Sequence, residues 1–377
     1  MSLIKEGLTK YRSRISKFLS SFSQVASVER VNFPVAEEPD YYTAGGFHPI
    51  SLGNSFHNGQ YTILRKLGYG QYSTVWLASD SKRQRYVALK VLRADCYGGH
   101  HDIVEREILS KILEVSRRSS HQGRNYVSHL LGQFTHTGPN GDHVCFAFDV
   151  LGHHLGFQSA KYEDGKLPVK AVKVITRQLL LALDFLHREC DLKPTNILLG
   201  LENPCSTITR YLAEVPARTD SQRGVTTPLR EAPEVTIGAP WDIGVDIWSL
   251  GCLIMELVQG IVLFSGEASS KGTWTAEDDH LAKIIEVVGQ FPLHFIEKGS
   301  RAAHFFDRQG NLLRIPNLKP TCLERLINGA TNPFLKPVDM PEAEVPIFVD
   351  FIKGMLEVDP GSRKSAAELL QHEWIRS

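Results

Sequence analysis

Asp191, Lys193 and Asn196 stand in one short run, Asp191-Leu-Lys-Pro-Thr-Asn196, that leads into the apolar triplet Ile197-Leu-Leu. A carboxylate, an ammonium and an amide at this spacing offer a proton acceptor, a counter-charge and an oxygen ligand for a hard cation. Those are the groups that phosphoryl transfer uses. A second run, Gly68-Tyr-Gly70-Gln-Tyr-Ser73-Thr-Val75, lies between two β-like segments. Glycines there would let the backbone approach phosphates, although the pattern by itself is as readily an ordinary hairpin turn. Its place 20 residues before Lys90, in Val87-Ala-Leu-Lys90, favours the phosphate reading. A lysine projecting from a nearby strand can reach the same anion.

These residues need elements to hold them. Tyr61–Leu67, Thr74–Ser79 and Tyr86–Leu92 are rich in β-branched and aromatic residues and predict strands; Val144–Leu151 predicts another. Asp102–Val115 predicts a helix with Val104, Ile108 and Ile112 on one face. Beyond residue 152 the pattern becomes helical. Val172, Ile175, Leu179, Leu183 and Leu186 mark a long amphipathic helix. Ile247–Val258, Asp279–Val288, Val345–Leu356 and Ser365–His372 predict further helices, and residues 201–230 lack periodicity and read as a loop. The fold class expected is α+β, with a small β-rich lobe over 41–149 and a larger helical lobe over 150–377.

Residues 1–40 form a separate arm. Lys5, Lys10, Arg12, Arg14, Lys17 and Arg30 outnumber Glu6 and Glu29, and Leu8, Tyr11, Ile15, Phe18, Leu19 and Phe22 fall at helical spacing. Two readings stay open, a basic amphipathic or disordered arm and a mitochondrial presequence. Lys+Arg and Asp+Glu both number 42, so no global charge recruits nucleic acid or membrane. Six cysteines without a CxxC pair fit a reducing compartment rather than a disulfide or zinc framework.

The two runs, in this order, resemble a eukaryotic protein kinase. Further pieces agree: Ala232-Pro-Glu234, Asp246-Ile-Trp-Ser-Leu-Gly251 and Asp359-Pro-Gly-Ser-Arg363. The resemblance implies a bilobal kinase fold that uses ATP and Mg²⁺. Asp191 would be the base, Lys193 would offset charge on the moving phosphoryl group and Asn196 would hold the metal. Leu67, Gly68, Gly70, Val75 and Ala88 would enclose the nucleotide. Lys90 would grip its phosphates, paired with Glu107 in preference to Glu105. The hinge would be Phe148, Asp149 and Leu151. Asp246 would brace the catalytic loop, and Glu234 would pair with Arg363.

Within the kinases, the chain is similar to the SR-protein kinases. Gly45-Gly-Phe-His-Pro, Ser73-Thr-Val-Trp76, Val150-Leu-Gly-His-His-Leu155 and Asp278-Asp-His-Leu-Ala-Lys-Ile-Ile-Glu286 carry that likeness. It implies phosphorylation of serine in Arg/Ser-rich proteins such as splicing factors, with Asp279 and Glu286 docking basic peptide. It also implies a monomer in cytoplasm and nucleus, with no direct nucleic-acid or membrane partner. Asp279 and Glu286 equally suit a solvated helix start.

The chain departs from the family twice. Glu189-Cys190 abuts Asp191 where relatives have a short strand ending in His-Arg or His-Thr. Between Asn196 and Ala232 the acidic residues are Glu202, Glu214, Asp220 and Glu231, none of them in an Asp-Phe-Gly context. Both gaps are clean while their flanks stay kinase-like, the pattern of excised segments rather than drift. The alternatives are a non-catalytic pseudokinase that binds nucleotide or a protein partner, and a basic-peptide docking module.

Overall fold

The computed structural model describes residues 39–97, 105–152, 155–159, 161–162, 165–190 and 231–377. The strand-forming runs build a six-stranded antiparallel sheet of order β1-β2-β3-β4-β6-β5. Its strands are β1 (Ser55–Phe56), β2 (Tyr61–Gly70), β3 (Ser73–Asp80), β4 (Arg85–Leu92), β5 (Gly132–Gly138) and β6 (Gly141–Phe148). Alternation puts Tyr61, Ile63, Trp76, Ala78, Val87, Leu89 and Val91 in one apolar layer. The β2–β3 hairpin turns on Gln71-Tyr72, with Gly70 opposite Ser73, as the glycine pattern predicts. The β3–β4 turn is capped by buried Asp80, whose Oδ1 accepts from the Lys82 and Arg83 amides at 3.2 Å each.

Helix α1 (Glu105–Arg118) crosses beside this sheet, with acidic residues in its first turn and Arg117 and Arg118 in its last, both favourable to the helix dipole. The helical part follows with α2 (Leu155–Ser159), α3 (Val169–Phe185), α4 (Pro233–Ile237), α5 (Gly244–Gln259), α6 (Ala276–Val288), α7 (Leu293–Ile296), α8 (Leu323–Ile327), α9 (Glu344–Met355), α10 (Ala366–Leu369) and α11 (Glu373–Arg376). A π-turn, Leu186–Cys190, extends α3. Helix α5 buries residues around most of its circumference, including Trp248, Ile254, Met255 and Val258, and is the axis of the core. A left-handed Gly260 ends it, at φ 69°. Helix α6 opens on a capping box between Thr275 and Asp278.

Two expectations change. The helix expected over Ser365–His372 is shorter, Ala366–Leu369, capped by Ser365, and a second one starts beyond it at Glu373, where the His372 ring accepts from the Trp374 amide. Strand β5 carries no strand signal in the sequence. Gly-Gln-Phe-Thr-His-Thr-Gly is half exposed along its length and gains its order by pairing with β6. Among the described residues, no helix is long and apolar enough to cross a membrane.

Candidate nucleotide and acceptor site

The glycine hairpin projects into open space. A Cβ added at Gly68 or Gly70 would meet nothing within 4 Å, so an anion could lie against this backbone. A register shift between Lys66 and Gly68 leaves Leu67 unpaired and exposed at the hairpin mouth. Val75 pairs with Lys90, and Ala88 with Phe148. The β-ladder therefore brings hairpin, lysine and hinge side by side. Phe148, like Leu109 and Leu113 of α1, is partly buried against the cluster of Phe146 and Leu130. Phe146 is fully buried and belongs to the core. The next residues alternate, with Asp149 exposed and Val150 buried.

Lys90 has a carboxylate partner, and it is Glu105. Nζ lies 2.5 Å from Glu105 Oε1, with both side chains about a quarter exposed (26% each). This corrects the expected pairing with Glu107, which is exposed and bonded by Arg106 at 3.2 Å. Two positions apart on a helix is about 200° of rotation, so only one of the two can face the lysine. Arg106 meanwhile stacks on Tyr97, its guanidinium 4.8 Å from the ring centroid, and its amide donates to the Tyr97 hydroxyl at 2.6 Å. That contact holds the start of α1 with Glu105 inward.

Asp191, Lys193 and Asn196 lie outside the described residues. Asp246, at the start of α5, accepts from His187 Nε2 at 3.0 Å, in the π-turn that extends α3. Nothing in its local sequence singles out His187. Further along, Arg363 clasps Glu234 in a two-pronged pair, Nη1 to Oε1 at 2.8 Å and Nη2 to Oε2 at 3.1 Å. Their side chains are 1% and 0% exposed. Arg363 also donates to the Gly244 and Glu357 carbonyls at 2.8 and 2.9 Å, and its guanidinium lies 5.2 Å from the Trp248 ring. Nearly every donor of the guanidinium fork is thus used.

The acidic face of α6 is more engaged than its sequence suggests. Asp278 is buried, serving the capping box and taking an ion pair from Arg314 at 2.7 Å. Asp279 Oδ2 accepts from the Glu267 amide and from Lys283, each at 2.7 Å. Glu286 Oε1 accepts from the Lys319 amide at 2.6 Å. The helix-start reading therefore explains Asp278 outright and part of Asp279. Among the described residues, no group of three His, Cys, Asp or Glu is placed to hold a metal ion.

Comparison with known proteins agrees with this architecture. The protein kinase domain family matches residues 61–375. The chain is 30% identical to the serine/threonine-protein kinase SRPK of Physarum polycephalum, across 90% of this chain and 91% of that protein. It is 28% identical to protein kinase dsk1 of Schizosaccharomyces pombe, across 93% and 86%. To SRSF protein kinase 3 of Mus musculus it is 26% identical, across 90% of each. With a glycine hairpin, a paired strand lysine and a clasped Glu234–Arg363, the chain belongs to the protein kinase family, as an SRPK-like serine/threonine kinase.

Proposed function

We propose that the chain binds ATP in the cleft under the β2–β3 hairpin and is directed to serine in Arg/Ser-rich proteins, with slow phosphoryl transfer. The Lys90–Glu105 pair beside an unobstructed glycine hairpin carries the nucleotide half of this reading. The residues present fit a triphosphate. Gly68 and Gly70 leave room for it, Lys90 would bind its phosphates, and Glu105 holds the ammonium in place. Leu67, Val75, Ala88 and Leu151 would enclose the base. ATP supplies the phosphoryl group when bound. Asn196 would hold Mg²⁺, and Asp191 would take the proton from the acceptor hydroxyl.

The names of the relatives support the acceptor class, as does the α6 face. Among the described residues, Asp279 and Glu286 each bond through one oxygen, and the other would be offered to a guanidinium. Changing both to alanine should weaken binding of an Arg-Ser peptide and flatten its salt dependence. Unchanged binding would leave α6 as a solvated helix start.

A second reading, a nucleotide-binding pseudokinase, is favoured by the lack of Asp-Phe-Gly between Asn196 and Ala232. Thermal shift with ATP and transfer of labelled phosphate to an Arg-Ser peptide separate the two. A shift lost in Lys90→Ala, together with slow Asp191-dependent transfer, supports the kinase. A shift with no transfer supports the pseudokinase. No shift with adenine nucleotide at millimolar concentration removes both.

A further inference from the structure

Helix α6 carries a cation between its two acceptor carboxylates. Asp279, Lys283 and Glu286 are spaced i, i+4 and i+7, so they share one face of the helix. The lysine position is about 6 Å along the axis from that of Asp279 and about 4.5 Å from that of Glu286. Its side chain turns toward Asp279. Nζ lies 2.7 Å from Asp279 Oδ2 and 3.0 Å from Ser265 Oγ. An acid four residues before a base is the favourable order on a helix, where side chains lean toward the N-terminus. The Lys283 side chain is 30% exposed and that of Asp279 20%, so salt screens this contact less than a fully exposed pair.

The carboxylates of the helix are thus unequal. Asp278 is buried on Arg314 at 2.7 Å, and Glu277 has Arg301 at 3.9 Å. Asp279 has Lys283. Glu286 differs, because its bond is to a neutral group, the Lys319 amide, at 2.6 Å. A guanidinium approaching Glu286 meets a net negative charge. One approaching Asp279 meets a carboxylate whose charge an ammonium already offsets, and must share it with Lys283 or displace Lys283. The Glu267 amide also donates to Asp279 Oδ2 at 2.7 Å, so the carboxylate stays oriented when the lysine moves away.

We propose that Lys283 is an internal competitor of the acceptor peptide. It holds the Asp279 position close to neutral, leaves Glu286 as the dominant anchor, and so sets how tightly an arginine-rich segment is held and at what ionic strength. This role rests on the Arg/Ser-directed reading above. Lys283 acts through Asp279 and tunes binding rather than chemistry.

Binding of a fluorescent Arg-Ser peptide to the full chain, followed by anisotropy over a range of salt, tests this. Lys283→Gln removes the charge and keeps a donor for Ser265 and Asp279. Lys283→Met removes both and keeps an unbranched side chain. Thermal melts establish that each variant is folded, and the glutamine variant carries the test if the methionine one does not fold. Either should bind the peptide about two- to fivefold more tightly than the parent. Its affinity should also fall more steeply as salt rises. Asp279→Ala should cost little in the parent and severalfold more in Lys283→Gln, a coupling that a purely structural lysine would not give. Unchanged or weaker binding by the folded Lys283 variants overturns the proposal, as does an equal cost of Asp279→Ala in both backgrounds. Peptide bound by the Lys283 variants and not by the parent supports it. No binding by parent or variants removes the Arg/Ser-directed reading, and the competitor with it.

Discussion

Arg363 and Glu234 show how much one pair of side chains can fix. Both are withdrawn from water, and their two parallel bonds satisfy the carboxylate completely. Removing one partner strands the other charge, which typically costs about 3–5 kcal/mol. Arg363→Ala should lose about that much stability in urea unfolding. Arg363→Lys should recover little of it, because an ammonium cannot make the planar double contact or lie flat near Trp248. An Arg363→Ala protein as stable as the parent would show that the pair contributes nothing. The sequence makes this pair legible because each partner sits in its own short motif. The Lys90 partner was not legible in the same way. Glu105 and Glu107 both open α1, and only the placement of Arg106 on Tyr97 decides which one turns inward. Glu105→Gln should therefore weaken the ATP-induced thermal shift. Glu107→Gln, at an exposed position, should leave the shift intact and change stability by no more than about 0.5 kcal/mol. Equal effects of the two substitutions would return the role to Glu107.

The Gly/Pro lead-in before the sheet, Tyr41–Ile50, is anchored by specific contacts. Gly45 has φ +80°, and a Cβ on Gly46 would lie 2.1 Å from the Tyr41 oxygen. The segment is pinned by Gly45 N to the Asn140 oxygen at 2.8 Å and by the Asn140 side chain to the Tyr42 and Phe47 oxygens. It delivers His48 onto the ends of β5 and β6, where the His136 and His143 rings lie with centroids 4.6 and 5.0 Å away. Burial, then His136 and His143 in turn, push the His48 ring down from 6.5 to about 4. Burial lowers His136 and His143 as well, with Asp142 and the Leu92 carbonyl pulling His143 back up. The folded protein thus holds these rings neutral while the unfolded chain charges them near pH 6.5. Between that pH and about 4 the unfolded state binds more protons, so stability is full above 6.5 and falls as the pH drops through the window. Thermal melts should show this acid limb, and His48→Phe, which keeps an aromatic ring against Phe56, should shrink it. A limb of unchanged size would place the acid sensitivity elsewhere. Regular elements fared better than this segment in the sequence. Strands β2 to β4 and helices α3, α5 and α9 follow from hydrophobic period, because one face of each must be buried. The lead-in and β5 take their order from neighbours distant in sequence, which no local period encodes.

The two parts of the molecule meet where the chain departs from its family. Ile112 of α1 packs with Phe185, Leu186 and Cys190, and Ile108 and Val115 add to the same cluster. The end of α3, wound into a π-turn, thus lies beneath the helix that carries Glu105. His121 reinforces the junction through Asp184 at 2.9 Å, and within the helical part His187 bonds Asp246 at 3.0 Å. The helix that carries Glu105 is therefore held from the helical side by residues up to Cys190. Chemistry is not supported in the same way. Kinase catalysis is largely positioning and charge stabilisation, and Asp191, the base under the reading proposed above, directly follows Cys190 in sequence, without the short strand that relatives have there. The lack of Asp-Phe-Gly between Asn196 and Ala232 would, under the same reading, remove a carboxylate for the metal. A bound metal supplies several kcal/mol of transition-state stabilisation. At about 1.4 kcal/mol per tenfold, its loss slows transfer on the order of a thousandfold or more. The unmodified chain should bind ATP with weak dependence on magnesium and phosphorylate an Arg-Ser peptide very slowly. Inserting both a strand ending in His-Thr before Asp191 and an Asp-Phe-Gly segment before Ala232 should raise the rate by that factor, and either insertion by itself should not. Fast, Asp191-dependent transfer by the unmodified chain would overturn this. It would mean that another carboxylate between Asn196 and Ala232, with Asp220 the first to test by Asp220→Asn, has taken over the metal.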